Sequence, residues 1–156
     1  MIDSVDNIAD IMHDRSYSQR ITNIPGASEV FGCGVCTYSN EMKEKLLGVS
    51  PLTLKRFGAV SEETAKEMAK GVRELSGADF GISVTGIAGP GGGSAEKPVG
   101  LVYIAVDSEH YKKAERLMLS RGRENERSFI RITAANNALR LLIEAIHAAA
   151  KKGGSR

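Results

Sequence analysis

Apolar residues return every three or four positions along some stretches of this chain and run without interruption along others, and the alternation lays out its elements. In the first sixteen residues Ile2, Val5, Ile8, Ala9 and Met12 stand at helical spacing, which predicts at best a short amphipathic helix, continued from Tyr17 to Asn23 and stopped by Pro25-Gly26. Gly32 to Tyr38 carries strand propensity through Val35, Thr37 and Tyr38. Ser39 then reads as the cap of a helix with Met42, Leu46 and Leu47 facing inward and Gly48 closing it. Ser50-Pro51 opens a short helix that ends near Gly58, proline suiting the first helical position.

Ser61 followed by Glu62 and Glu63 is a helix start, since two carboxylates fall where the helix dipole is positive. Ala65, Met68, Ala69, Val72 and Leu75 form its predicted buried stripe, with Gly77 as the left-handed stop. Phe80 to Thr85 and Val99 to Val106 are predicted strands, and Ala114 to Ser120 a third in a meander. A long helix is expected from Asn125 to Ala149, with Phe129, Ile132, Ala135, Leu139, Leu142 and Ile146 on one side, before a polar tail over 151–156 that should fray. Helices alternating with strands predict an α/β fold, a three-layer αβα sandwich around a mixed sheet.

A chain of 156 residues, 42% apolar and 26% charged, has the composition of one ordinary globular domain. A net charge of +2 gives little support to nucleic-acid binding driven by a basic field. No apolar run approaches the ~18 residues of a membrane span, so a cytoplasmic protein without membrane or nucleic-acid partners is expected. Cys33 and Cys36 have CxxC spacing, but no second pair or paired histidines completes a zinc site, and two buried, reduced thiols are the expected outcome. No metal or cofactor is called for, and His13, His110 and His147 are assigned no role.

The chemistry concentrates in residues 84–100, VTGIAGPGGGSAEKPVG, which hold six glycines and two prolines where one predicted strand gives way to the next. Glycine lets the backbone approach a ligand, and successive N–H groups can converge on an anion. The plainer alternative is a flexible surface loop. Against that stand the stiffening Pro90 and Pro98, Thr85 at the carboxyl end of a buried-looking strand, and Lys97 as a mobile positive charge. The stretch is neither a Walker loop nor a dinucleotide-binding turn, because no GK[ST] follows and no helix opens on GxGxxG. Lys43 lies at the fourth helical position after the Ser39 cap, where the dipole would lower its pKa and suit it to act as a base; a solvated lysine is the alternative. Arg127 and Arg131 lie one turn apart, so both can reach one anion, or simply line a solvated face.

IPGASEVF (24–31), VCTYSNEMKEKLLGV (35–49), GAVSEETAKEMA (58–69) and the glycine-rich stretch together resemble the carboxy-terminal domain of the competence/damage-inducible CinA family, which includes the stand-alone nicotinamide-nucleotide amidase PncC. The resemblance runs from about Ile21 into the last helix. It implies a metal-free serine/lysine hydrolase that converts nicotinamide mononucleotide to nicotinate mononucleotide and ammonia, a reaction of NAD salvage. It also implies catalytic roles for Lys43 and Tyr38, and substrate contacts from Asn40, Thr85, Gly86, Gly89, Ser94, Lys97, Arg127 and Arg131. The two arginines come from aligning NERSFIR with the family's GDRxxVR, whose glycine is Asn125 here.

One family element is not matched. The strand ending in ESCTGG, whose serine is the nucleophile, falls by gapless counting from Pro25-Gly26 on Asp10, Ile11, Met12, His13, Asp14 and Arg15. The preceding strand is expected to be missing as well, leaving 1–20 atypical and a sheet edge open to association as a homo-oligomer. Two readings follow: an amidase-like domain with weak or lost activity unless Ser16 or Ser18 supplies a displaced hydroxyl, and a non-catalytic nucleotide-binding or regulatory module. A third makes the chain an oligomer subunit without a ligand.

Overall fold

The computed structural model describes residues 8–11, 16–124 and 126–153. Five strands form one mixed sheet in the order β2-β1-β3-β4-β5. They are β1 (Ile8–Ile11), β2 (Phe31–Val35), β3 (Phe80–Gly86), β4 (Leu101–Ser108) and β5 (Lys112–Met118). The helices are α1 (Ser16–Thr22), α2 (Asn40–Leu47), α3 (Pro51–Phe57), α4 (Glu62–Ser76) and α5 (Arg127–Gly153). Strands β1, β2 and β3 are parallel, with Ile11 level with Val35 on one side and Ser83 on the other, while β4 and β5 continue the sheet antiparallel.

The strand expected to be missing is therefore present, and it lies inside the sheet rather than at an edge. Ile8–Ile11 was expected to be helical, and its apolar spacing fits that period; pairing on both sides with two strong strands overrides the local preference. The open edge predicted from its loss does not arise. Residues 1–7, the motif positions 12–15 and the tail 154–156 lie outside the described residues.

Alternation along β3 sorts the two faces. Phe80, Ile82 and Val84, with Val102, Ile104 and Val106 of β4, pack against Ile130, Ala134, Ala138, Leu141 and Ala145 of α5. On the other face Gly81, Ser83 and Thr85 meet α4 and the turn before it. Ser83 Oγ donates to Ala65 O at 2.6 Å, and a Cβ on Gly81 would stand 2.1 Å from Ala69 O, so α4 lies directly on the strand backbone. Met68 and Val72 of α4 join Leu47, Val49 and Leu54 in a second cluster beneath α2 and α3. Helices thus cover both faces, the expected three-layer arrangement.

Caps fell where predicted: Ser39, Ser50 and Ser61 each accept a backbone N–H of the following turn, and Gly48 and Gly77 close α2 and α4 with positive φ. The inward faces were read less well. Leu75 and Ile132 are exposed, and in α2 the buried residues are Lys43 and Leu47 rather than Leu46. Cys33 is half-buried but Cys36 is exposed, so only the reduced state of the expected buried pair is found. At the sheet's outer edge β5 carries charges, Lys113 pairing with Glu115 at 2.7 Å and with Glu144 of α5 at 3.1 Å.

Candidate functional site

Parallel strands β1, β2 and β3 end on one side of the sheet, the side on which open α/β sheets hold ligands. From β2 the chain runs through Thr37 and Tyr38 to the Ser39 cap of α2; from β3 it enters the glycine-rich loop. Above both lies the first turn of α5. Between them is a cavity of about 240 Å³. Its floor is apolar, formed by Val84, Val102, Ile130 and Ala134; Gly86 to Gly92 make one wall, Arg127 and Arg131 another, and Tyr38 stands at the rim. A broader recess of about 530 Å³ on the far side of the loop shares Ala88, Gly89 and Arg127 with it.

The loop is pinched at its base. Ile87 N donates to Leu101 O at 2.9 Å and Gly100 N to Ile87 O at 2.8 Å. Gly89 has φ +74, and a Cβ there would meet Val99 Cγ1 at 2.7 Å, so both the backbone angle and the space call for glycine. Arg127 Nη1 donates to Gly89 O at 2.8 Å, tying α5 to the wall.

Lys43 lies under the rim. It is 2% exposed, and its Nζ donates to Thr37 O at 2.8 Å with a longer contact to Tyr38 O at 3.5 Å. Burial strips water from the ammonium and lowers its pKa below the ordinary lysine value, partly opposed by the neighbouring Cys36 sulfur, which as a thiolate would favour the cation. The direction is the expected one, but burial rather than the helix dipole is its cause. Beside it, Thr37 Oγ1, in a residue 1% exposed, has no hydrogen-bond partner among the described residues.

The sequence-predicted site residues divide. Tyr38, Gly86, Gly89, Arg127 and Arg131 meet around the cavity, and Lys43 sits one backbone layer below Tyr38. Thr85 is buried, and its hydroxyl is turned to Ala59 O at 2.6 Å. Asn40 is exposed in the first turn of α2 and does not line the cavity. Ser94 is at the exposed loop tip, accepting from Lys97 N at 3.0 Å. Lys97, expected to be a mobile charge for a ligand, donates to Val60 O at 2.8 Å and to Phe57 O. Ser18 Oγ lies against Gly34 of β2, 2.7 Å from where a Cβ on that glycine would stand, and does not line the cavity. Asn125, the departure in the arginine motif, lies outside the described residues.

Sequence reasoning missed the apolar floor. Its marks were legible: Arg127, Ile130, Arg131 and Ala134 follow i, i+3, i+4, i+7 spacing on one face of α5, and Val84 shares the α5 face of β3 with Phe80 and Ile82. Among the described residues no cluster of three His, Cys, Asp or Glu is placed to hold a metal. No helix among them is long and apolar enough to cross a membrane.

Comparison with known proteins gives one family. The profile of the CinA C-terminal domain matches residues 16–146. A putative competence-damage inducible protein of Caldanaerobacter subterraneus is 57% identical over 111 residues, covering 71% of this chain and 27% of that protein. A CinA-like protein of Desulfovibrio desulfuricans is 50% identical over 125 residues, covering 80% and 29%. The chain therefore spans less than a third of the length of these curated relatives. Among solved structures, the competence/damage inducible protein CihA of Agrobacterium tumefaciens superposes with a TM-score of 0.82 at 40% identity, covering 90% of this chain and 84% of that one. A CinA superfamily protein of Escherichia coli gives 0.81 at 26% identity, covering 90% and 80%.

Proposed function

The chain belongs to the CinA C-terminal domain family, and from that premise we propose that its cavity receives nicotinamide mononucleotide or a similar phosphorylated pyridine ribonucleoside, in an amidase-type site whose own turnover is weak or lost. The observation that carries this reading is the pairing of Arg127 and Arg131 with the glycine wall and Tyr38 around one cavity of about 240 Å³. Two guanidinium groups on successive turns suit a phosphate dianion. The apolar floor and the exposed Tyr38 ring suit a flat pyridine. The glycine backbone leaves room for a ribose between them.

Family chemistry would have the Lys43 amine, poorly hydrated and so more readily neutral, take the proton of a hydroxyl at the end of β1. That oxygen would attack the carboxamide carbon, the Lys43 ammonium would pass the proton to the departing nitrogen, which leaves as ammonia, and water would then hydrolyse the acyl ester to the free carboxylate. The β1 position matching the family serine is Ile11, and a hydrocarbon side chain offers no electron pair for the attack. This favours the second reading, a nucleotide-binding or regulatory module, over an efficient amidase. A cytoplasmic homo-oligomer is part of the same proposal.

Two measurements on one preparation test it: ammonia release from nicotinamide mononucleotide, and thermal stabilisation by that nucleotide. Saturation at a hundred times Kd adds about 2.7 kcal/mol, or roughly 5–11 °C at this chain length. Stabilisation is expected, with turnover no higher than in Lys43→Ala. Absence of any stabilisation at millimolar nucleotide refutes the binding reading. Robust turnover abolished by Ser16→Ala refutes the loss of the nucleophile.

A further inference from the structure

We infer that Lys97 is the pin that holds the glycine-rich loop in its ligand-receiving shape, a positioning residue that acts through the backbone rather than on a ligand. The short connection between α3 and α4 has its carbonyls claimed in sequence by side chains. Phe57 O and Val60 O accept from Lys97 Nζ. Gly58 O accepts from Ser61 Oγ at 3.0 Å and Thr64 Oγ1 at 2.8 Å, and Ala59 O from Thr85 Oγ1 at 2.6 Å. Two of these donors, Thr85 and Lys97, belong to the glycine-rich stretch, one where β3 ends and the other shortly before β4 begins. Both ends of the loop are thereby fastened to the same four-residue anchor.

The anchor suits a cation. Phe57 is the last residue of α3, so its carbonyl lies at the negative end of the helix with no partner further along it, a position where lysine is favoured. A Cβ on Gly58, where φ is +76, would stand 3.0 Å from Lys97 Nζ, so the ammonium packs against bare backbone. Within the loop, Ser94 N donates to Lys97 O at 2.9 Å and Lys97 N to Ser94 Oγ at 3.0 Å, so fixing Lys97 also fixes the tip. The cavity wall, Gly89 to Gly92, is strung between this pin and the Arg127 bond to Gly89 O. Freed from Lys97, the wall would have to be ordered by the ligand itself, at a cost in affinity.

The variant Lys97→Met keeps the stem and removes the donors. Amide hydrogen exchange across 88–99 is expected to rise about ten- to hundredfold, from charge-assisted bonds of ordinary strength, with exchange in α4 and β4 unchanged. Lys97→Arg should restore most of the protection. The ligand arm rests on the nucleotide reading above: the Kd for nicotinamide mononucleotide should weaken about tenfold or more in Lys97→Met and recover in Lys97→Arg. Unchanged loop exchange overturns the inference, as does a uniform rise across the chain or a looser loop with an unchanged Kd. If the unmodified chain fails to bind the nucleotide, the nucleotide reading fails while the exchange experiment still decides the pin.

Discussion

Substituting Lys43 by methionine reports directly on how the fold treats its buried amine. The side chain is 2% exposed, and its close hydrogen-bond partner is a neutral carbonyl, Thr37 O at 2.8 Å. Its pKa is lowered by burial, from an ordinary value of 10.5. Between the folded and unfolded pKa values the unfolded chain holds more protons, so stability rises with pH, by up to about 1.4 kcal/mol for each pH unit in that window. Below the folded pKa the charging penalty is present in full; above 10.5 it is gone. Methionine removes the penalty and the hydrogen bond together. The stability of Lys43→Met minus that of the parent should therefore be most favourable at low pH and fall as pH climbs toward 10.5. Above that, only the lost bond should remain, a deficit of about 1 kcal/mol or roughly 2–4 °C. Urea unfolding followed by far-ultraviolet circular dichroism from pH 6 to 10.5 suits a chain without tryptophan. A flat difference curve would mean that the amine is hydrated. A curve of opposite slope would mean that an anion pairs with it, and either result removes the physical basis for Lys43 as a base.

Gly81→Ala would push Ala69 O from 2.1 Å toward the ordinary 3.4 Å, a displacement of about 1 Å that strains the 2.6 Å bond between Ser83 and Ala65. Thermal unfolding should register a loss of about 2–5 kcal/mol, roughly 4–20 °C, with no change at the cavity on the opposite face. Arg127→Ala and Arg131→Ala should each weaken nicotinamide mononucleotide roughly ten- to hundredfold by titration calorimetry, and Arg127→Ala should also raise exchange around Gly89. Nicotinamide riboside, lacking the phosphate, should bind the parent and Arg131→Ala alike and lose in Arg127→Ala only what the loosened Gly89 wall costs; a preference for the mononucleotide over the riboside that survives both substitutions would contradict the assignment. Under native conditions a thiol reagent should find two reduced cysteines, Cys36 reacting before half-buried Cys33, because an extended i, i+3 pair lies about 10 Å apart at the Cα atoms, beyond disulfide reach.

Much of this architecture was legible where a single residue has one local task. Ser39, Ser50, Ser61, Gly48 and Gly77 mark helix ends through their own hydrogen bonds and dihedrals, and each was found at its post. The glycine-rich loop was legible from its place between two strands, and spacing put Arg127 and Arg131 on one helical face, but their place beside the loop comes from the packing of α5 on the sheet. What escaped depends on partners distant in sequence. Ile8–Ile11 is a strand because β2 and β3 flank it, not because its residues prefer extension. Lys43 was expected to face solvent or lean over the helix end; instead it shares the buried stripe of α2 with Leu47, because α2 packs closely on α4 there, a Cβ on Gly71 standing 1.9 Å from Leu47 O.

Lys97 is the most instructive of these cases. A lysine in a glycine-rich loop reads as a ligand contact, yet the carbonyls of Phe57 and Val60, at and just past the end of α3, hold its ammonium. The two late arginines differ because α5 holds them on one rigid face beside the cavity. Of the positive charges near this loop, Lys97 holds the wall from one end and Arg127 from the other through Gly89 O, and on the nucleotide reading the guanidinium face of α5 would also receive the phosphate. Specificity for a mononucleotide would then come from the distance between a fixed guanidinium pair and a glycine wall whose position Lys97 sets.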